Sequence, residues 1–274
     1  WDGSSWTEVN NMNTARAFAA GTGTTTAGIV FGGEPPVTAN AETWDGTNWT
    51  EVNNLSTART GLAGSGIQTS ALAFGGNTPP VTGKTESWDG SSFTEQADLS
   101  TSRGSGLVGV GTLASSLAAG GLSTANTGVT EEWTNGPATF SKINLGQVYF
   151  NSGSNAFKVT QNVLGTGAWA SGGNLNTGRG LGGSFGTQTA AILATGFISP
   201  NNVTNVEAYN GSSWSETTEV NTARRELFGF GTQPAGLIVG GRPPSTGKTE
   251  TWNGSAWTEA NDLNGVRSDG GGSA

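Results

Sequence analysis

The chain has 274 residues, of which 46 are Gly and only 12% are charged, so turn formers and small polar residues outweigh helix formers and an all-β fold is expected. The absence of Cys and His excludes thiol nucleophiles, disulfides, imidazole bases and nearly all transition-metal sites, and a net charge of −8 disfavours nucleic acid as a partner. Ten Trp and eleven Phe supply the buried area that disordered chains lack, and no apolar run reaches the length of a membrane span, so no membrane insertion is expected.

In chain order, WDGSSWTEVNNMNTAR ends at Arg16, WDGTNWTEVNNLSTAR at Arg59 and WDGSSFTEQADLSTSR at Arg103. A weaker copy, GAWASGGNLNTGR, ends at Arg179, and YNGSSWSETTEVNTAR and WNGSAWTEANDLNGVR end at Arg224 and Arg267. Between these marks lie apolar runs that close on Gly: AGIVFGG, ALAFGG, SLAAGG, AAILATG and GLIVGG. The Arg marks are 43, 44, 45 and 43 residues apart except from Arg103 to Arg179, where the interval is 76. Internal repetition at this period signals an array of supersecondary units.

Each period reads as four short strands, here lettered A to D. In the second repeat these are TGLAGSG, SALAFGG, KTESW and SFTEQ, with C and D joined by an Asp-Gly hairpin turn. One such sheet cannot bury both faces, so copies pack side by side in a ring, a β-propeller. The small residues Gly61, Ala63, Gly64, Ala71 and Ala73 suit the inner strands, where backbones converge.

A Gly pair closing strand B, an acid before an aromatic in C, an aromatic opening D and an Arg leading onward together resemble kelch repeats, over residues 1 to 133 and 167 to 267. The chain departs from that family in its higher Gly, Asn, Thr and Ser content and in the interval 134 to 166. There, GQVYFNSGSNAFKVT alternates apolar residues about a polar loop and resembles short hairpins of bacteriophage tail and fibre proteins. Residues 145 to 172 are expected to form an abbreviated blade from GQVYF, AFKVT and AWASG, giving six blades, with seven as the alternative. Openings of D-type strands are placed at Trp6, Trp49, Phe93, Phe140, Trp169, Trp214 and Trp257, and strand Trp6 to Val9 is expected to close the ring. The propeller then spans residues 1 to 267, followed by a Gly-rich tail, 268 to 274.

Pairs such as Trp44 and Trp49 could be sugar-stacking platforms, but their recurrence favours cross-hairpin packing. The recurrent Arg and the strand C acids Glu42, Glu86, Glu132, Glu207 and Glu250 are expected to join blades, since a group present in every blade cannot mark one active site. Adjacent Asp45 and Gly46 do not make a sialidase-type Asp box. Gly-rich strings such as GTGTTTAG lack the strand, loop and helix context of a phosphate site. No catalytic residue, metal site or cofactor is expected.

The B to C links differ between repeats: GGEPPVTANAE, GGNTPPVTGKTE, GGLSTANTGVTE, GFISPNNVTNVE and GGRPPSTGKTE. Function on a rigid scaffold concentrates on such loops, so the candidate contact residues are Glu34, Pro35, Pro36, Asn77, Pro79, Pro80, Lys84, Arg242, Pro243, Pro244 and Lys248. The kelch and phage resemblances imply a non-enzymatic structural or adhesion module of a virion, in a tail fibre, appendage or capsid decoration. Such a module would sit outside the cell and contact other virion proteins or a host-surface glycan or protein, and the sequence leaves its oligomeric state open. The alternatives are a glycan-active enzyme on a propeller scaffold and an intracellular kelch adaptor.

Overall fold

The computed structural model describes residues 1–135, 148–151, 156–159 and 167–268. Five four-stranded antiparallel sheets form the blades of a propeller. Blade one is β1 (Ala20–Thr24), β2 (Ala27–Phe31), β3 (Ala41–Trp44) and β4 (Trp49–Val52). Blade two is β5 (Ala63–Ile67), β6 (Ser70–Phe74), β7 (Thr85–Trp88) and β8 (Phe93–Glu95). Blade three takes β9 (Gly104–Thr112), β10 (Ser115–Leu122) and β11 (Thr130–Asn135), then a separate hairpin of β12 (Val148–Asn151) and β13 (Ala156–Val159), then its outer strand β14 (Gly167–Ser171). Blade four is β15 (Gly183–Thr187), β16 (Ala190–Ala194), a small ribbon of β17 (Phe197–Ile198) and β18 (Asn201–Asn202), then β19 (Val206–Tyr209) and β20 (Trp214–Thr217). Blade five is β21 (Phe228–Thr232), β22 (Ala235–Val239), β23 (Thr249–Trp252) and β24 (Trp257–Ala260).

Among the described residues the expected six or seven blades are therefore corrected to five. The described strands within 145 to 172 do not form a blade of their own. Strands β12 and β13 pair only with each other, Val148 opposite Val159, while β14 pairs with β11 and sets Trp169 opposite Trp133. The long interval is thus an insertion between the third and fourth strands of blade three. Spacing counts residues along the chain, but a blade is defined by ladders between strands, and β12 and β13 ladder only with each other. Phe140 lies outside the described residues. Trp6 to Val9 form no strand, and Trp257 to Ala260 close their own blade as β24.

Local chemistry explains why the pattern repeats. In blades one, two, four and five an Asx carboxyl or amide oxygen in the turn between third and fourth strands caps two backbone N–H groups, as Asp45 Oδ1 does for Thr47 at 2.8 Å and Asn48 at 2.7 Å. The next residue needs a left-handed backbone, and Gly46, Gly90, Gly211 and Gly254 adopt φ of 93°, 94°, 92° and 93°. The Gly pair serves a different purpose. A Cβ on Gly32 would lie 2.6 Å from the Arg59 carbonyl, whose oxygen accepts from the Gly33 N–H at 3.0 Å. The pair lets the linker to the next blade press directly onto the end of the second strand.

Five of the linkers are locked by a buried ion pair. Arg16–Glu42 (3.1 Å), Arg59–Glu86 (2.8 Å) and Arg103–Glu131 (3.0 Å) are joined by Arg179–Glu207 and Arg224–Glu250. The carboxylates also accept backbone N–H groups from the linker, Ser56 onto Glu86 at 2.7 Å and Ser100 onto Glu131 at 2.7 Å. Arg59 donates further to the Gly75 carbonyl at 2.9 Å, so both buried charges are well supplied with partners. Blade three corrects one expectation: the paired acid is Glu131, not Glu132. Spacing from the aromatic decides it, since Glu42, Glu86, Glu131, Glu207 and Glu250 all lie two residues before Trp44, Trp88, Trp133, Tyr209 and Trp252.

The Trp pairs pack as scaffold, with ring centroids 5.3 Å apart for Trp44 and Trp49 and 5.1 Å for Trp252 and Trp257. The first indole of a pair donates to its own first turn, as Trp88 Nε1 does to the Gln68 carbonyl at 2.8 Å. Among the described residues four apolar clusters lie between successive blades: one and two, two and three, three and four, four and five.

Candidate functional site

The face carrying the links between second and third strands is built on a common frame. At each loop base a backbone N–H returns to the glycine that ends the second strand: Thr38 to Gly33, Thr82 to Gly76, Thr127 to Gly121, Val203 to Gly196 and Thr246 to Gly241, all 2.9–3.0 Å. In four loops that residue is Thr, whose Oγ1 accepts from the amide two residues on, as in Lys84 N–H to Thr82 at 3.2 Å. Between these fixed bases the tips vary, and Pro35, Pro36, Pro79, Pro80, Pro243 and Pro244 are exposed on them.

Other sequence-predicted residues divide into two groups. Glu34, Asn77 and Arg242 sit where each loop leaves its blade and form backbone bridges to Ala17, Thr60 and Arg225, the residues that follow the linker Arg. Lys84 and Lys248 turn the other way, onto Glu95 at 2.7 Å and Glu259 at 3.1 Å of the outer strands of their own blades. They are placed at the blade periphery and are not brought together with Glu34 and Arg242.

What sequence reasoning missed lies two residues after each linker Arg. Phe18, Gly61, Leu181 and Glu226 occupy this position with φ of 52°, 61°, 64° and 58°. Their backbones chain around the mouth of the central channel: Gly61 N–H to the Phe18 carbonyl at 2.9 Å, Leu181 to Gly106 at 3.3 Å, and Glu226 to Leu181 at 2.7 Å. In blade three the place holds Ser105, and the positive φ moves to Gly106 at 83°. These side chains line a cavity of about 90 Å³ at the channel mouth. A left-handed backbone costs a Phe, Leu or Glu about 1–2 kcal/mol, and strain of this kind points to a site. The signal was legible in principle, as unlike residues at a fixed offset inside a repeating frame.

Blade five gives this ring its charge. Glu226 is buried and receives Arg242 Nη2 at 2.6 Å, with Arg225 Nε at 3.4 Å. The Arg225 guanidinium also stacks 4.7 Å over Phe197 and donates to Asn202 Oδ1 at 3.1 Å. Two guanidiniums on one carboxylate leave a locally cationic rim on an acidic protein. Along the same ring, Leu181, which is next to Glu226, and Phe18 offer apolar surface. Away from the mouth, Glu132 accepts from the Tyr209 hydroxyl at 2.5 Å, tying blade three to blade four, and burial with this bond pushes the Tyr209 phenol up to about 12.

Among solved structures the chain is similar to one described as the structure of YjhT, with a TM-score of 0.68 and 10% identity over 96% of this chain and 88% of that one. At that identity the likeness supports the propeller fold alone. No protein-family model matches the chain, and no curated protein does.

Proposed function

We propose that this chain is a non-enzymatic binding module, a kelch-like propeller of a phage particle that holds a host-surface carbohydrate or a virion partner on its loop face. The observation that carries the reading is the contrast between frame and rim. Recurrent charges are consumed in buried ion pairs that hold the blades, whereas Phe18, Leu181, Glu226 and the loop tips differ from blade to blade on one face. An apolar wall beside guanidinium donors suits a sugar, which presents a CH-rich face and acceptor oxygens together. The phage assignment rests on the hairpin GQVYFNSGSNAFKVT and the polar, His-free and Cys-free composition.

The test is binding of the labelled full chain to a glycan array and to candidate host cells. Phe18→Ala and Leu181→Gly are expected to reduce binding at least about tenfold while leaving the thermal midpoint unchanged or higher, because glycine relieves the strained backbone at Leu181. Binding that survives both substitutions would sink the rim as the site. Release of new reducing ends from a host polysaccharide, abolished by Glu226→Gln, would replace the module with a glycan-active enzyme.

A further inference from the structure

We infer that the space between blade five and blade one is a docking groove for a separate β segment of the same repeat type, a first-to-third-strand unit bearing the repeat glutamate. This is independent of what the loop face binds.

The ring is not joined there as elsewhere. Inner strands abut in the series β1, β5, β9, β15 and β21, and no comparable contact returns from β21 to β1. None of the four interblade clusters lies at this junction. Its two walls expose apolar residues at positions that are buried in the other blades. Leu237 is half-exposed where Ile29, Leu72, Leu117 and Ile192 are at most 2% exposed. Facing it, Val30 is half-exposed where Ala73, Ala118, Leu193 and Ile238 are at most 2% exposed.

The outer part of the place is already occupied. The turn Trp1 to Trp6 stands where a blade's third-to-fourth-strand turn stands, with ring centroids 5.2 Å apart. Asn261 donates to the Ser4 carbonyl at 2.9 Å as Asn53 does to Ser91 at 2.8 Å, and Asn264 to Trp6 at 3.0 Å as Asn13 does to Trp49 at 3.0 Å. On the other side the Gly241 N–H binds the Arg267 carbonyl at 2.7 Å, the geometry that sends every other linker into its next blade.

Charge identifies the occupant. Five linker Arg side chains are buried on a strand-three Glu, whereas Arg267 is exposed and meets no carboxylate among the described residues. A segment spelled like residues 60 to 88 would bring first-turn and Gly-pair carbonyls, apolar strand faces and one Glu to this place. Strand addition of this kind draws affinity from backbone ladders and specificity from side-chain pockets.

The probe is a synthetic peptide of residues 60 to 88 added to the full chain and followed by calorimetry and amide hydrogen exchange. Saturable one-to-one binding is expected, with new protection at 237–239 and 263–267, and weakening by at least about tenfold for the peptide carrying Glu86→Gln and for the chain carrying Arg267→Ala. In a second measurement the segment is tethered after Ala274 by a flexible linker, which raises its effective concentration; the thermal midpoint should rise by several degrees and Arg267→Ala should cancel the rise. Failure of both formats, or indifference to Glu86→Gln and Arg267→Ala, overturns the proposal. So does self-association of the chain that protects the same amides without peptide, which would make a second copy the occupant.

Discussion

Asn264 donates its side-chain amide to the carbonyl oxygen of Trp6 at 3.0 Å, across 258 residues of sequence. With the Asn261 bond to Ser4 it is the contact that brings the two ends of the repeat array together. Asn264→Ala removes one exposed hydrogen bond and should lower the unfolding free energy by about 0.5–1 kcal/mol. Denaturant unfolding measures this, and a loss near zero for the double Asn261→Ala, Asn264→Ala variant would mean that the amino-terminal turn is not held by these bonds.

The Arg59–Glu86 pair is fully buried, and truncating one partner strands the other's charge. Arg59→Ala or Glu86→Ala should each cost about 3–5 kcal/mol. The double variant should lose much less than the sum, giving a coupling of about 1–3 kcal/mol in a double-mutant cycle. Additive losses would show that the pair is not a unit.

Tyr209 gives a pH signature. Its phenol is raised to about 12, first by burial and then by its bond to Glu132, so the neutral form is favoured in the folded state. The contribution is fully present below pH 10, the ordinary phenol value, and is lost as pH rises towards 12. Absorbance at about 295 nm should show this phenolate appearing only near that upper limit, and Tyr209→Phe should remove the step. Ionisation at the ordinary phenol value would contradict the buried contact.

Backbone approach at the inner strands sets a fourth test. A Cβ on Gly229 would lie 2.4 Å from the Ser184 carbonyl oxygen, whereas one on Gly265 meets nothing within 4 Å. Gly229→Ala should destabilise by about 1–3 kcal/mol and Gly265→Ala by less than about 0.5 kcal/mol. Equal thermal midpoints for the two variants would refute close packing of β15 against β21.

Much of the frame was written locally. The Asp-Gly and Asn-Gly turns, the Gly pairs and the four-strand period need only a few adjacent residues, so Trp44 to Trp49 could be read as a hairpin and Arg59 as a step to the next blade. The acid paired with Arg103 was also local information, since Glu131 and not Glu132 keeps the two-residue spacing to Trp133.

The sequence by itself determined the unit: a four-stranded sheet with a recurrent Arg and a strand-three acid. Only the tertiary structure decided how many units there are, because β12 and β13 close on each other while Trp169 pairs back to Trp133, and a hairpin's preference for itself over a distant strand is invisible in spacing. It also decided which unlike residues meet. Phe18, Leu181 and Glu226 are far apart in the chain, and packing the blades side by side brings them to one rim. The same packing leaves Leu237, Val30 and Arg267 at the junction where it stops, since burial there depends on a neighbouring sheet and not on the residues themselves.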